Sequence, residues 1–244
     1  MQSETMLYAY RDFRRQFGES RKCGGALAWQ LNDCWPCASW GIVDYFHRKK
    51  PAYYAIKRLL KPLAIAVRRE HKDWSISHAR PSPALGFEVW IMSSHDQEAS
   101  GEVRLQFISV RTGKEARSPV IANDVSIDSN GTTHVFKDVV VSTVQEPVML
   151  VTTLRIDGKI VSRDMDWPQP YKYLPLTGSK PHVKVRGETL TVSANRPIKG
   201  LVFEEPDGVW FGDNCIDVIP GDEQVIEIKG YKGTAEQLKY KWLS

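Results

Sequence analysis

Between Glu4 and Phe17 the apolar residues Met6, Leu7, Tyr10, Phe13 and Phe17 recur at three- and four-residue steps, with Arg11, Arg14 and Arg15 set between them. That spacing predicts an amphipathic helix with one face to bury, and Gly18 is placed to stop it. After Cys23-Gly24-Gly25 the period changes. Ala26 to Leu31 is a short apolar run bounded by turn signals, which predicts a strand buried on both faces and hence a parallel sheet. A polar loop, Asn32-Asp33-Cys34-Trp35-Pro36, follows it. Ala52, Tyr53, Ile56, Leu59 and Leu60 then mark a second helix over Pro51–Leu60, with proline in its first turn.

Past Pro62 the pattern is that of strands. Leu63–Arg69, Gly86–Met92, Val103–Val110, Val148–Ile156 and Lys159–Ser162 are short runs rich in Val and Ile, often alternating. Turn residues separate them at Pro81-Ser82-Pro83, Thr112-Gly113-Lys114, Asn130-Gly131-Thr132 and Asp157-Gly158-Lys159, the last a two-residue hairpin signal. Strands at this spacing predict an antiparallel sandwich. Pro168 to Pro181 is proline-rich and resembles a linker. Val183–Val185, Thr189–Val192, Leu201–Phe203 and Val225–Ile228 make a second, smaller set of strands. The fold expected is mostly β with an N-terminal α/β piece: residues 1–62, then a sandwich over 63–175, then a smaller β-domain over 176–244.

Composition narrows the class. The 244 residues are 42% hydrophobic and 25% charged, with a net charge of +4, which excludes disordered and low-complexity chains and gives no basis for nucleic-acid binding. The cluster His47-Arg48-Lys49-Lys50 reads as a solvated loop. No window of about 18 apolar residues exists, so no membrane contact is expected. Four cysteines do not make a disulfide framework, and Met1–Thr5 carries no leader pattern, so a cytoplasmic location is expected, with secretion the alternative if a signal lies upstream. About sixty residues with one buried strand cannot close a parallel sheet, since an eight-stranded barrel takes roughly 250. The 1–62 piece therefore reads as the end of something longer, with a small decoration on the sandwich as the alternative.

Candidate chemistry gathers in one place. Trp29, Trp35 and Trp40 flank Asn32 and Asp33 at the end of the expected strand. Indoles stack on the C–H faces of sugars, and amides or carboxylates meet the hydroxyl rims, so this is the composition of a sugar site as well as of a core. Cys34-Trp35-Pro36-Cys37 has redox spacing but no helix opens at it, and no second ligand pair completes a zinc site. Glu204-Glu205 and Asp164/Asp166 read as solvated surface rather than an acid–nucleophile pair. His47, His71, His78, His95, His134 and His182 show no ligand spacing. No cofactor or metal is expected.

The block Cys23–Pro36, continued by Ser39–Tyr45 and Lys50–Tyr54, resembles the β-mannosidases of glycoside hydrolase family 2, at the last strand and last helix of their catalytic barrel. Ala9–Gly18 resembles the segment before it, and Trp210–Asn214 with Asp217 and Ile219-Pro220-Gly221 resembles the family's terminal immunoglobulin-like domain. The resemblance implies a partial (β/α)8 barrel end followed by two immunoglobulin-like sandwiches. It also implies a retaining exo-hydrolase for terminal β-linked mannose that works with two glutamates. In the family one of these lies in an Asn-Glu pair, which this chain lacks, and no glutamate stands at a matching strand end for the other. By position, Trp29 would floor the mannose subsite, Asn32, Asp33 and Trp35 would line or brace its rim, and Trp40 would pack beneath the loop. The expected partners are a β-mannoside or manno-oligosaccharide and the absent N-terminal barrel segment. A non-catalytic carbohydrate-binding or docking module is the alternative function.

Overall fold

A computed structural model describes residues 1–70, 84–141 and 146–244. The Pro81-Ser82-Pro83 turn, His71 and His78 lie outside the described residues. Helix α1 (Gln2–Ser20) and helix α2 (Pro51–Leu59) pack on each other and on a sheet. Lys50 is held extended ahead of Pro51, so the helix begins at the proline, whose missing N–H costs nothing there.

Two sandwiches follow. In the first, the sheet β1 (Leu63–Arg69), β2 (Ala84–Ser93) and β5 (Thr132–Val141) has strand order β1-β2-β5. It faces a second sheet in which β3 (Ala99–Ser109), β4 (Glu115–Ile127), β6 (Val148–Ile156) and β7 (Lys159–Asp166) run in the order β4-β3-β6-β7. All described pairings within these sheets are antiparallel. The alternation of the strands assigns each face. Ile65, Val67, Phe87, Val89 and Ile91 meet Val103, Leu105, Phe107, Leu150 and Leu154 between the sheets. On the outer face of the first sheet Ala64, Ala66, Trp90 and Met92 pack beneath the helices with Tyr10, Ala52, Ile56 and Leu59. The result is three layers: helices, sheet, sheet.

The second sandwich is smaller. Strands β8 (Pro181–Arg186), β9 (Thr189–Ala194), β11 (Trp210–Phe211) and β13 (Gln224–Lys229) form one sheet in the order β11-β13-β9-β8. Strands β10 (Ile198–Phe203), β12 (Ile216–Val218) and β14 (Tyr240–Leu243) form the other, in the order β12-β10-β14. Leu190, Val192, Leu201, Phe203, Phe211 and Ile226 fill it. The proline-rich stretch is a packed connection rather than a loose linker. Trp167, Leu176, Tyr171 and Leu174 lie against Met149, Val151 and Ile219, which joins the outer face of β6 to the second sandwich.

Several expectations need correction. The strand predicted for Ala26–Leu31 does not form. Ala26 packs against the helix-and-sheet cluster, but no strand of a sheet pairs with the segment among the described residues, and the ladder contact beside it is one parallel bridge, Asn32 to Val43. Helix α1 does not stop at Gly18 but runs to Ser20 and ends on Arg21 in the left-handed region at φ 56°, its N–H donating to Phe17 O. Gly18 serves a close approach instead: a Cβ there would stand 2.7 Å from the backbone of Gly131 and Thr132. The turn expected at Asn130–Thr132 is present and carries the chain from one sheet into the other, β4 to β5. The Asp157-Gly158 hairpin does form, both residues having positive φ, with Ile156 opposite Lys159.

Asp164 and Asp166 are buried, not solvated. They sit two residues apart on β7 and so face the same way, toward the edge of β1. There Ile65 N donates to Ser162 Oγ at 3.0 Å and Val67 N to Asp164 Oδ2 at 2.9 Å, while Arg69 Nη1 donates to Asp166 Oδ2 at 2.8 Å. Alternate side chains of one edge strand thus satisfy the backbone of another. Glu205 is also turned inward, receiving Lys49 Nζ at 2.8 Å and the Tyr54 hydroxyl.

Candidate functional site

The segment 23–50 leaves α1, crosses the end of the helical layer and returns to α2. Its backbone is ordered by a few bonds between two passes of the chain. Val43 N donates to Leu31 O at 2.9 Å, Asp33 N to Val43 O at 3.0 Å, and Lys50 N to Ile42 O at 2.9 Å. Val43 is also bridged to Lys49 from the other side. The side chains between these points have two fates. Leu27 is 99% exposed, Trp29 77%, Leu31 61% and Trp35 72%, whereas Asp33 is 3% exposed.

Asp33 therefore does not line an open rim. Its carboxylate accepts from Lys50 Nζ at 2.9 Å and from the Ser39 hydroxyl, and Ser39 Oγ in turn accepts from Gly41 N at 3.0 Å. The Ser39 hydrogen bond first, and then Lys50, hold the carboxyl below its ordinary value. Asp33 ties both ends of the loop to its middle. Asn32 is exposed, with Nδ2 3.3 Å from Asp33 O, and can turn an amide toward a ligand. Trp40 is 63% exposed rather than packed beneath the loop.

The four residues singled out from sequence thus share one loop, with Trp29, Asn32 and Trp35 outward and Asp33 inward as their support. The reading missed Ser39 and Lys50. Lys50 stands in a basic cluster that reads as solvated, yet Lys49 ends in an ion pair with the largely buried Glu205 and Lys50 in one with the buried Asp33. Cys34 and Cys37 are exposed free thiols. Among the described residues no group of three or more His, Cys, Asp or Glu side chains could hold a metal ion.

A crevice of about 760 Å³ lies elsewhere, where α1, the first sandwich and the second meet. Its polar floor is already paired. Lys199 Nζ donates to Glu4 Oε1 at 2.8 Å and Asp217 Oδ2 at 3.0 Å, Tyr171 OH donates to Glu4 Oε2 at 2.7 Å, and Trp167 Nε1 donates to Asp217 Oδ2 at 2.7 Å. None of Trp29, Asn32, Asp33 or Trp35 borders it. It is a junction between parts of the molecule.

Known proteins of similar sequence and shape bear on this loop and its supports. Residues 86–173 match the Mannosidase Ig/CBM-like domain. Beta-mannosidase B of Aspergillus terreus is 52% identical over 250 residues, which takes in 100% of this chain and 30% of that protein. Beta-mannosidase B of Emericella nidulans is 50% identical over 248 residues, 100% of this chain and 29% of that protein. Among solved structures, the β-D-mannosidase of Dictyoglomus thermophilum superposes with a TM-score of 0.78 at 19% identity, over 98% of this chain and 28% of that one. The exo-chitosanase of Amycolatopsis orientalis superposes with a TM-score of 0.66 at 18% identity, over 98% and 32%. At those identities the two structures speak for the fold alone. The chain spans about 30% of the length of the curated relatives it matches. Over its whole length it is homologous to the C-terminal part of the β-mannosidases, a group of glycoside hydrolases.

Proposed function

We propose that this chain is the part of a family 2 β-mannosidase that supplies the last wall of the catalytic barrel and the two β-sandwiches behind it. The complete enzyme removes terminal β-linked mannose with retention, and two glutamates outside this chain supply the proton and the nucleophile. Trp29 stacks on the apolar face of the mannose, Asn32 and Trp35 border it, and Asp33 holds the loop in shape from behind. The observation that carries this reading is the exposure of Leu27, Trp29 and Leu31, three alternate side chains on a segment with almost no ladder partner. Apolar residues at alternate positions of an extended segment are what a barrel strand turns to the barrel interior, and backbone groups with few ladder bonds are what it offers to the strands on either side. The C-x-x-C pair has no part in this chemistry.

The alternative, a free-standing carbohydrate-binding module, is less well supported. Among the described residues of the first sandwich's strands the exposed large apolar side chains are Ile121, Val139 and Val161, with no aromatic platform for a sugar.

Assaying the purified chain with an aryl β-mannoside tests the proposal, and no turnover above the enzyme-free rate is expected; turnover by a contamination-free sample overturns it. Co-expression with the preceding portion of the Aspergillus terreus relative should restore hydrolysis. In that pairing Trp29→Ala should lower kcat/KM on the order of 100-fold, the usual cost of losing a substrate-positioning surface.

A further inference from the structure

We infer that the small C-terminal sandwich sets the shape of the tryptophan-bearing loop through Glu205, acting on Lys49 as a remote positioning residue. The inference rests on the proposed function only for what that loop binds. The mechanical connection stands on distances within this chain.

The connection has two branches that start at adjacent residues. Lys49 and Lys50 lie on extended backbone, Lys50 with φ −78° and ψ 160°, so their side chains point in opposite directions. Lys49 Nζ reaches Glu205 Oε2 at 2.8 Å, in the loop after β10 of the second sandwich, with both side chains largely buried. Lys50 Nζ reaches Asp33 Oδ2 at 2.9 Å, the buried support of the loop. The backbone of Lys49 is also bridged to Val43, and Val43 exchanges hydrogen bonds with Leu31 and Asp33. A shift of Lys49 toward or away from Glu205 therefore moves both the carboxylate that ties the loop and the strand-like pass beside it.

Glu205 itself has a fixed footing. It follows Glu204, whose N–H donates to Lys239 O at 2.9 Å, and Phe203, which is core. Its second oxygen accepts from the Tyr54 hydroxyl on α2. Burial first, and then that contact with Glu205, drive the Tyr54 phenol far above its ordinary range, so it stays a donor at any accessible pH. The carboxylate is thus pinned between the sandwich and α2 and presents its free oxygen to Lys49. A surface ion pair would be too soft to transmit position, but a largely buried and doubly held one is not.

Hydrogen exchange on the full 244-residue chain tests this. In Glu205→Ala and in Lys49→Met, the amides of Asp33, Ile42, Val43 and Lys50 should exchange about tenfold faster than in the wild type, as a local opening. Those of Leu105 and Val192, in the two sandwich cores, should be unchanged. Lys49→Arg, which keeps the charge, should hold the wild-type rate in the loop. Unchanged loop rates in the two disrupting variants overturn the inference, as does acceleration of the loop and both cores by one common factor. Loosening by Lys49→Arg as large as by Lys49→Met also overturns it. If Glu205→Ala does not fold, Lys49→Met decides alone, because it leaves the Tyr54–Glu205 contact in place. None of these readings involves a sugar, so the mannoside assay can fail while this result stands, and the reverse.

Discussion

Arg11 shows how far a single side chain can depart from its place in a hydrophobic pattern. The period sets it off from the apolar stripe, yet it is 1% exposed, with Nη1 donating to Asp164 Oδ2 at 2.8 Å and Val67 O at 2.7 Å, and its guanidinium carbon 4.7 Å from the Tyr8 ring centroid. Burial alone would weaken its charge, but Asp164 and its neighbours hold it above its ordinary value. The Arg69–Asp166 pair goes the other way: burial outweighs the pairing, lowering the arginine and raising the acid. Composition cannot reveal such pairs, because Arg11 and Asp164 are 153 residues apart. Asp164→Ala should therefore cost about 3–5 kcal/mol, the usual cost of stranding a buried charge. Arg11→Met with Asp164→Leu together strands no charge and should cost less, the remainder being the unpaired N–H and C=O of Val67, and urea unfolding of the single and double variants measures both. The tryptophans and Asn32 drew notice as residue types that sugar chemistry uses. For Asp33 the sequence left lining and bracing open, since a carboxylate in a polar loop carries no mark of which side it faces, and its burial places it among the braces.

At the scale of elements, legibility followed burial. Leu63–Arg69 and Val148–Ile156 have the bounds read from sequence, because both faces of each are covered and most of their positions are buried. Strands β4 and β5 were missed. They are the outer strands of their sheets, and β4 is mostly exposed, so its polar residues erase the alternation that would mark it. Ala26–Leu31 failed in the opposite sense: a run fit for a sheet interior has no sheet beside it among the described residues. In α1 the arginines hold the helix down. Arg14 donates to Pro62 O at 2.9 Å and Lys61 O at 2.6 Å at the end of α2, and Arg15 pairs with Glu88 at 2.7 Å over the Trp90 ring, leaving Phe13 and Phe17 partly exposed. The far end of α1 depends on Gly18 lying against the Gly131–Thr132 backbone. Gly18→Ala would normally gain helix propensity. Here it should lower stability by about 1–3 kcal/mol, since neither backbone can retreat easily, and a thermal melt against the wild type reads the sign.

For the whole molecule, polar contacts join the parts as much as apolar ones do. Glu4 on α1 meets Tyr171 after the first sandwich and Lys199 in the second, while Arg58 on α2 donates to Asp213, Asn214 O and Cys215 O. Burial works to raise the Glu4 carboxyl, but Lys199, Tyr171 and Arg11 bring it below its ordinary value. A depressed acid contributes stability that is fully present above its unfolded pKa and is lost as pH falls through the folded one. Lys199, raised by Asp217 and Glu4 despite its burial, contributes below its unfolded pKa and loses that only as pH rises beyond the ordinary lysine range. The junction should thus hold from about pH 5 to about pH 10 and loosen in acid. Glu4→Gln should flatten the acid side of a plot of urea midpoint against pH. A slope identical to the wild type would show that other carboxylates carry it. The mostly β character was readable from the strand runs, but these junctions were not, because each joins residues distant in the chain.

The seam of Ser162, Asp164 and Asp166 along β1 has one more effect. A bare strand edge is a general adhesive, since any extended peptide can dock on its amides and carbonyls. Here those amides are occupied by hydroxyl and carboxylate groups at a spacing only this neighbour provides. A foreign segment would have to displace charged side chains already anchored by arginines before it gained a single bond. That margin is thereby closed to amyloid-like recruitment by strangers, a safeguard of worth in a protein so rich in strands.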